Sequence, residues 1–190
     1  TLNDHMPNFV TGGDSWDKKG NTLRAILPNG KSHKEFIAYL DRLAIFLNQL
    51  QVDGQLIPIL FRPLHEMNGS WFWWGNARSG ADIVALWQFY HDYLIRVKNV
   101  RNVIWVWSPN INKAASELYY MNYWPGKNYV DIVGLDGYDN SQSPNIENDS
   151  FIKSFDAISQ FSDKFDLPMA FTEIGFKSGA PQFTNLWDKQ

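Results

Sequence analysis

Four short apolar runs, rich in β-branched and aromatic residues, constrain this chain more than any other feature. They are Ile57-Pro58-Ile59-Leu60-Phe61, Val103-Ile104-Trp105-Val106-Trp107, Val130-Asp131-Ile132-Val133-Gly134-Leu135 and Met169-Ala170-Phe171-Thr172. Each is apolar on both faces over much of its length, which is the pattern of a buried parallel strand and not of a half-wet hairpin. Amphipathic segments lie between them. Ser32-His33-Lys34-Glu35 has the form of a capping box and opens a helix with Phe36, Leu40, Leu43, Leu47 and Leu50 on one face. A second helix carries Ile83, Leu86, Trp87, Tyr90, Leu94 and Val97, and a third, starting near Ser150, carries Phe151, Phe155, Ile158 and Phe165. Strand and helix alternate, which predicts an α/β fold on a parallel sheet.

Reactive side chains gather where these strands end. Arg62, His65 and Glu66 follow the first, Trp107 and Ser108 end the second, Asp136 and Tyr138 the third, and Glu173 the fourth. Chemistry collected at the carboxyl ends of successive parallel strands is the arrangement of a (β/α)8 TIM barrel. A doubly wound sheet obeys the same rule but usually opens with a Gly-rich phosphate turn, and none follows the first strand here.

Composition narrows the function classes. A chain of 190 residues supports one domain with a sizeable core. Seventeen basic and twenty acidic residues give a net charge of −3 with no basic cluster, against a nucleic-acid or anionic-membrane surface. No apolar run approaches the roughly 18 residues of a membrane-spanning helix. The absence of Cys excludes a disulfide scaffold, a thiol nucleophile and a thiolate metal site. Nine Trp, eight Tyr and thirteen Phe make 16% of the chain, and flat apolar rings with a polar edge suit flat, polar-rimmed ligands such as sugars. The chain starts at Thr1 and stops at Trp187-Asp188-Lys189-Gln190 within what reads as a helix, so it is expected to be a piece of a longer protein.

Glu66 and Glu173 are the centre of the functional reading. A carboxylate at the end of an apolar strand loses hydration, so its pKa is open to tuning by neighbours. Two such groups facing each other can divide into a protonated acid and an ionised nucleophile or base, the division glycosidic cleavage needs. The competing reading, a buried ion pair with a partner such as Arg62, fits one strand-end glutamate better than two on different strands flanked by Trp and Tyr. His65-Glu66 is not a zinc-protease motif, because position 69 is Gly where a second His is required. Ser108 lacks a Gly-x-Ser-x-Gly elbow and reads as a structural hydroxyl. Asn68-Gly69-Ser70 and Asn148-Asp149-Ser150 match the glycosylation sequon by coincidence. Trp71-Phe72-Trp73-Trp74 makes poor sense as consecutive core and good sense as a cleft wall, above all at Trp71, with Gly69 and Gly75 permitting the turns. His5, in the loop-like His5-Met6-Pro7-Asn8-Phe9, reads by itself as a surface or structural histidine.

These residues together resemble glycoside hydrolase family 26, whose best-known members are β-1,4-mannanases. The segment Arg62-Pro63-Leu64-His65-Glu66-Met67-Asn68-Gly69-Ser70-Trp71-Phe72-Trp73-Trp74-Gly75 is similar to that family's acid/base segment. Val130 to Asp139, and Phe171-Thr172-Glu173-Ile174-Gly175-Phe176, resemble its later strand-end motifs in the right order. His5 to Phe9, with Thr11-Gly12-Gly13-Asp14-Ser15-Trp16, resembles its loop after the third strand.

The resemblance implies Glu66 as acid/base and Glu173 as nucleophile in a retaining double displacement, with carboxyl groups about 5–5.5 Å apart. It implies a hydrogen bond from Tyr138 to Glu173, Arg62 keeping Glu173 ionised, and His65 near the sugar 2-hydroxyl. It places His5, Trp71 and Asp136 along the substrate subsites, and implies neither metal nor cofactor. It further implies that residues 1–190 are part of a catalytic domain, from the end of barrel strand 3 to just past strand 7, with strand edges and apolar interior left open. The partner implied is a polysaccharide, β-mannan, cleaved at internal bonds by a secreted, cell-surface or periplasmic protein. Mixed-linkage glucan and β-1,3-xylan are the alternative substrates, and a non-catalytic glycan-binding barrel fragment is the alternative from another class.

Overall fold

The computed structural model describes residues 1–75, 80–139 and 149–176. The helix read at Trp187–Gln190 and Asn148 of the second sequon lie outside the described residues. Strand β1 (Leu2–Asp4) is followed by helices α1 (Thr22–Ile26) and α2 (His33–Gln49), and a two-stranded hairpin, β2 (Gln51–Val52) and β3 (Gln55–Leu56), leads into β4 (Ile59–Pro63). Helix α3 (Gly80–Asp92), extended by a π-helical turn at Tyr93–Val97, precedes β5 (Val103–Trp107). Helix α4 (Glu117–Met121) and a 3₁₀ turn lead to β6 (Ile132–Asp139), and α5 (Asp149–Phe165) leads to β7 (Met169–Phe176). The main sheet has the order β1-β4-β5-β6-β7, and every neighbouring pair in it is parallel. Each strand is added beside the last with no reversal of order. That is how a barrel wall grows, whereas a doubly wound sheet reverses at a switch point.

Register sets the active face. Asn3 on β1 lies opposite Arg62 on β4, and Asp136 on β6 lies opposite Glu173 on β7. The second pairing depends on a bulge: Leu135 pairs with Phe171 and Asp136 with Glu173, so Thr172 is the extra residue. Side chains alternate faces along a strand, so without that residue Glu173 would face away from Asp136.

The core lies between the sheet and its helices. Trp74, Trp87, Trp107, Tyr90, Phe36 and Phe61 are fully buried there, each contributing on the order of 1.5–3 kcal/mol by removal from water. Phe36, Leu40 and Leu47 of α2, and Ile83, Leu86, Trp87, Tyr90 and Leu94 of the second helix, are buried as their spacing predicts. Val97 is not: it is 62% exposed, because the π turn changes the angle per residue and carries it off the buried face. The capping box is a correction as well. Ser32 occupies the N-cap of α2, but at φ −111° and ψ 18° its hydroxyl makes no cap hydrogen bond, and no reciprocal pair forms. Leu60 on β4 and Phe171 and Ile174 on β7 stay open to solvent, the exposed apolar wall and edge expected of part of a barrel. Among the described residues no helix is long and apolar enough to cross a membrane.

Candidate active site

The chain leaves β4 through a tight turn in which Leu64 and Glu66 both take left-handed backbone conformations, at φ 53° each. Such a conformation costs a non-glycine residue about 1–3 kcal/mol and survives only where surrounding contacts dictate it. Here the Glu66 backbone N–H donates to the Ser108 carbonyl at 2.8 Å, and Gly69 N–H donates to the Glu66 carbonyl at 2.8 Å. The turn aims the Glu66 carboxyl into a cleft of about 800 Å³, also lined by Asn3, His5, His65, Trp71, Tyr138 and Glu173. Trp71 Nε1 donates to Glu66 Oε2 at 2.6 Å, and Asn110 Nδ2 donates to Oε1 at 2.5 Å. A Cβ on Gly69 would stand 2.4 Å from the Trp71 ring, so glycine there is what lets the indole reach the carboxyl.

Glu173 is held from behind by a buried cation. Arg62, 2% exposed, donates from Nη1 to Glu173 Oε1 at 3.0 Å and to Asn3 Oδ1 at 2.9 Å, from Nη2 to Asp136 Oδ2 at 2.5 Å, and from Nε to Ser108 Oγ at 3.1 Å. Asn3 Nδ2 donates to Glu173 Oε1 at 3.0 Å, and the Tyr138 hydroxyl to Oε2 at 2.8 Å. Tyr138 lies against Gly175, where a Cβ would come within 2.6 Å of the phenol ring.

These surroundings push the two glutamates apart. Burial raises the Glu66 carboxyl above its usual range, and the nearby Glu173 charge adds to this, against the pull of Trp71 and Asn110. Burial also acts upward on Glu173, but hydrogen bonds from Tyr138 and Arg62 and the guanidinium charge outweigh it and hold that carboxyl below the usual range. One group is therefore biased towards the acid and the other towards the anion, the division of labour that marks acid/base pairs. Burial, then the Arg62 charge, lowers the His65 imidazole to about 4, so it is neutral over the ordinary working range. Among the described residues its Nδ1 has no hydrogen-bond partner, and its ring meets His5 edge-on at 5.0 Å.

A carboxylate oxygen from each of Glu66, Asp136 and Glu173 lies within 4.8 Å of the others. A divalent cation accepts such a triad, but the positive charge between Asp136 and Glu173 is already the Arg62 guanidinium.

Among the residues singled out in the sequence, Glu66, Glu173, His5, His65, Trp71 and Tyr138 converge on the cleft. Arg62 and Asp136 lie behind it. Asp136, expected along the subsites, is fully buried and held by Arg62 and by Thr172 Oγ1 at 2.5 Å, so it orients the arginine and does not line the groove. The aromatic run is also partly corrected. Trp71 and Phe72 border the cleft, whereas Trp73 and Trp74 are core, their indoles donating to the Met6 and His65 carbonyls. Consecutive aromatics can all be buried here because they lie on a turn and not on a two-faced strand. Ser108 is the structural hydroxyl expected, and Asn68 of the first sequon is tied to the Asn110 backbone. Sequence reasoning missed Asn3, Asn110 and Trp16. Asn3 sits on a strand too short for periodicity, and Asn110 lies just past the end of β5, the position that signals a barrel site. Trp16, 57% exposed at the rim and 4.8 Å from Phe72, ends the loop motif quoted above.

The sequence model of glycosyl hydrolase family 26 matches residues 6–189. The mannan endo-1,4-beta-mannosidase of Bifidobacterium adolescentis is 35% identical over 188 residues, covering 96% of this chain and 19% of that protein. The mannan endo-1,4-beta-mannosidase A and B of Caldalkalibacillus mannanilyticus is 35% identical over 193 residues, covering 92% of this chain and 33% of that protein. The catalytic domain of the Bacillus sp. JAMB-750 GH26 endo-beta-1,4-mannanase superposes with a TM-score of 0.87 at 38% identity, over 95% of this chain and 49% of that one. This chain thus spans from a fifth to a third of these curated relatives and about half of that solved structure. Its parallel sheet is an incomplete (β/α)8 barrel.

Proposed function

This chain belongs to glycosyl hydrolase family 26, and we propose that it is part of the catalytic domain of a retaining endo-β-1,4-mannanase. The observation that carries the reading is the Glu66–Glu173 pair: two carboxyls across one cleft, one raised and one lowered by surroundings that differ in kind. Relatives named as mannan endo-1,4-beta-mannosidases support the substrate class.

In this mechanism Glu173 attacks the anomeric carbon of the mannosyl unit while the Glu66 acid gives its proton to the departing glycosidic oxygen. The C–O bond to the leaving chain breaks and an ester to Glu173 forms. Water then enters where the leaving chain stood, Glu66 takes its proton, and the hydroxyl oxygen displaces Glu173. Arg62, Asn3 and Tyr138 keep Glu173 ionised for the first step. His65, neutral and beside the nucleophile, is placed to hydrogen-bond a sugar hydroxyl. Trp71 offers an aromatic wall. A polymer this large is met outside the cell, and we place the protein there or at the cell surface.

Tyr138→Phe tests the support of the nucleophile. The phenol is itself pushed up to about 12, chiefly by its bond to Glu173, so it stays a donor at working pH. Removing that donor disfavours the carboxylate, so the Glu173 pKa rises and the acid limb of the kcat/KM profile moves to higher pH. The rate on mannan should fall about tenfold. A profile and rate matching wild type would show the hydrogen bond to be idle.

The substrate class is tested by reducing-end release from soluble β-1,4-mannan, mixed-linkage glucan and β-1,3-xylan, with Glu173→Ala as the blank. Release above the blank is expected on mannan. Release on another glycan alone would reassign the substrate, and mannan binding with no cleavage would favour a binding module.

A further inference from the structure

Both oxygens of the Glu66 carboxyl are occupied, by donors of different kinds. The Trp71 indole N–H can only donate, and so suits an oxygen that carries no proton. The Asn110 carboxamide carries a donor and an acceptor on one planar group, and half a turn about its last bond exchanges them. With Nδ2 facing Oε1 at 2.5 Å it meets the ionised glutamate. With Oδ1 in that place it would meet the protonated one.

Its position does not depend on that contact. Asn110 bridges to Asp136 just past the end of β5. Asn68, two residues beyond Glu66, accepts from the Asn110 backbone N–H at 2.7 Å and donates to its carbonyl at 2.8 Å, and the Tyr120 hydroxyl donates to the same carbonyl at 3.1 Å. The Asn110 backbone is clamped to the turn that carries Glu66. Among the described contacts, its side chain hydrogen-bonds to Glu66 alone.

We propose that Asn110 is a positioning residue that follows the Glu66 proton, donating to the carboxylate and, rotated, accepting from the acid, so that Glu66 keeps one orientation through both halves of the reaction. This rests on the acid/base role given to Glu66 above. A shell of donors alone would favour the ionised form and oppose the first half, in which Glu66 must give a proton. Asn68 acts one contact further out, by holding the Asn110 backbone.

The test is a carbon-13 NMR titration of the Glu66 carboxyl, which needs no substrate, in wild type, Asn110→Ala and Asn110→Asp, with Glu66→Gln assigning the resonance. The bond to the carboxylate is charge-assisted and so the stronger of the two, and losing Asn110 should raise the midpoint by at least about half a pH unit in Asn110→Ala, and more in Asn110→Asp, where a second negative charge faces Glu66. The basic limb of mannan cleavage should move up with it, and kcat should fall more than KM changes. A midpoint unmoved in both variants overturns the proposal. So does failure of both to fold, which would make Asn110 structural. If the midpoint moves while wild type cleaves no glycan, the positioning of Glu66 stands and its acid/base role falls.

Discussion

Replacing Glu173 with Ala should lower the rate of β-1,4-mannan cleavage on the order of 10⁴-fold or more, because the double displacement loses the atom that makes the new bond. The fold should survive. Arg62 would keep Asp136, Asn3 and Ser108 as partners, and with one cation against Asp136 the buried charge remains balanced. Azide supplied to this variant should restore turnover of an activated aryl mannooligoside by attacking from the vacated side, giving the α-mannosyl azide. A rate within tenfold of wild type, in a variant that melts at the same temperature, would remove Glu173 from the nucleophile's role.

Glu66→Ala should give the second large loss, with a different signature. On mannan, whose leaving group is a poor one, the loss of acid catalysis should cost about 10²–10⁴-fold. On an aryl mannooligoside with an acidic phenol the first step needs no proton, so the glycosyl-enzyme should form at close to the normal rate and then accumulate. Azide should release it as the β-mannosyl azide, the opposite anomer to that from Glu173→Ala. Equal losses on both substrates would contradict the assignment, since a residue that only shapes the cleft does not distinguish leaving groups.

The elements that proved legible in the sequence are those in which burial on both faces left an apolar run. Strand β5 is found at the residues its run marks, Val103–Trp107, and β4 begins two residues later than its run, at Ile59. The runs of β6 and β7 stop short: both strands continue four residues further, through Asp136-Gly137-Tyr138-Asp139 and Glu173-Ile174-Gly175-Phe176. Polar and glycine residues there break the apolar pattern, and among them Asp136, Tyr138 and Glu173 build the site. The hairpin of β2 and β3 was missed although Asp53-Gly54, with φ 49° and 76°, is a strong local hairpin signal. Its strands are two residues each and exposed, so periodicity has nothing to register.

The site was legible where residue chemistry alone marks it. Glu66, Glu173, Arg62 and Tyr138 announce themselves by type and by position at strand ends. Depth does not show in a sequence. Asp136 follows an apolar run and Trp71 flanks Glu66, yet one is sealed behind Arg62 and the other faces the cleft. Nor does a bulge: that Thr172 is the unpaired residue, turning Glu173 to face Asp136, follows from inter-strand register alone. The same holds for Asn3 and Asn110, ordinary loop-like asparagines until neighbouring strands bring them to the two carboxyls.

The most direct test of the two-carboxylate account is the anomeric form of the first product from a β-1,4-mannooligosaccharide, followed by proton NMR before mutarotation. One carboxylate oxygen of Glu66 and one of Glu173 lie within 4.8 Å of each other, closer to the separation of about 5–5.5 Å of a retaining pair than to the gap of about 6.5–9.5 Å in which an inverting pair holds its water. The account predicts the β-anomer first, with the α-anomer growing only as the sugar equilibrates. An α-anomer at the earliest times would contradict it.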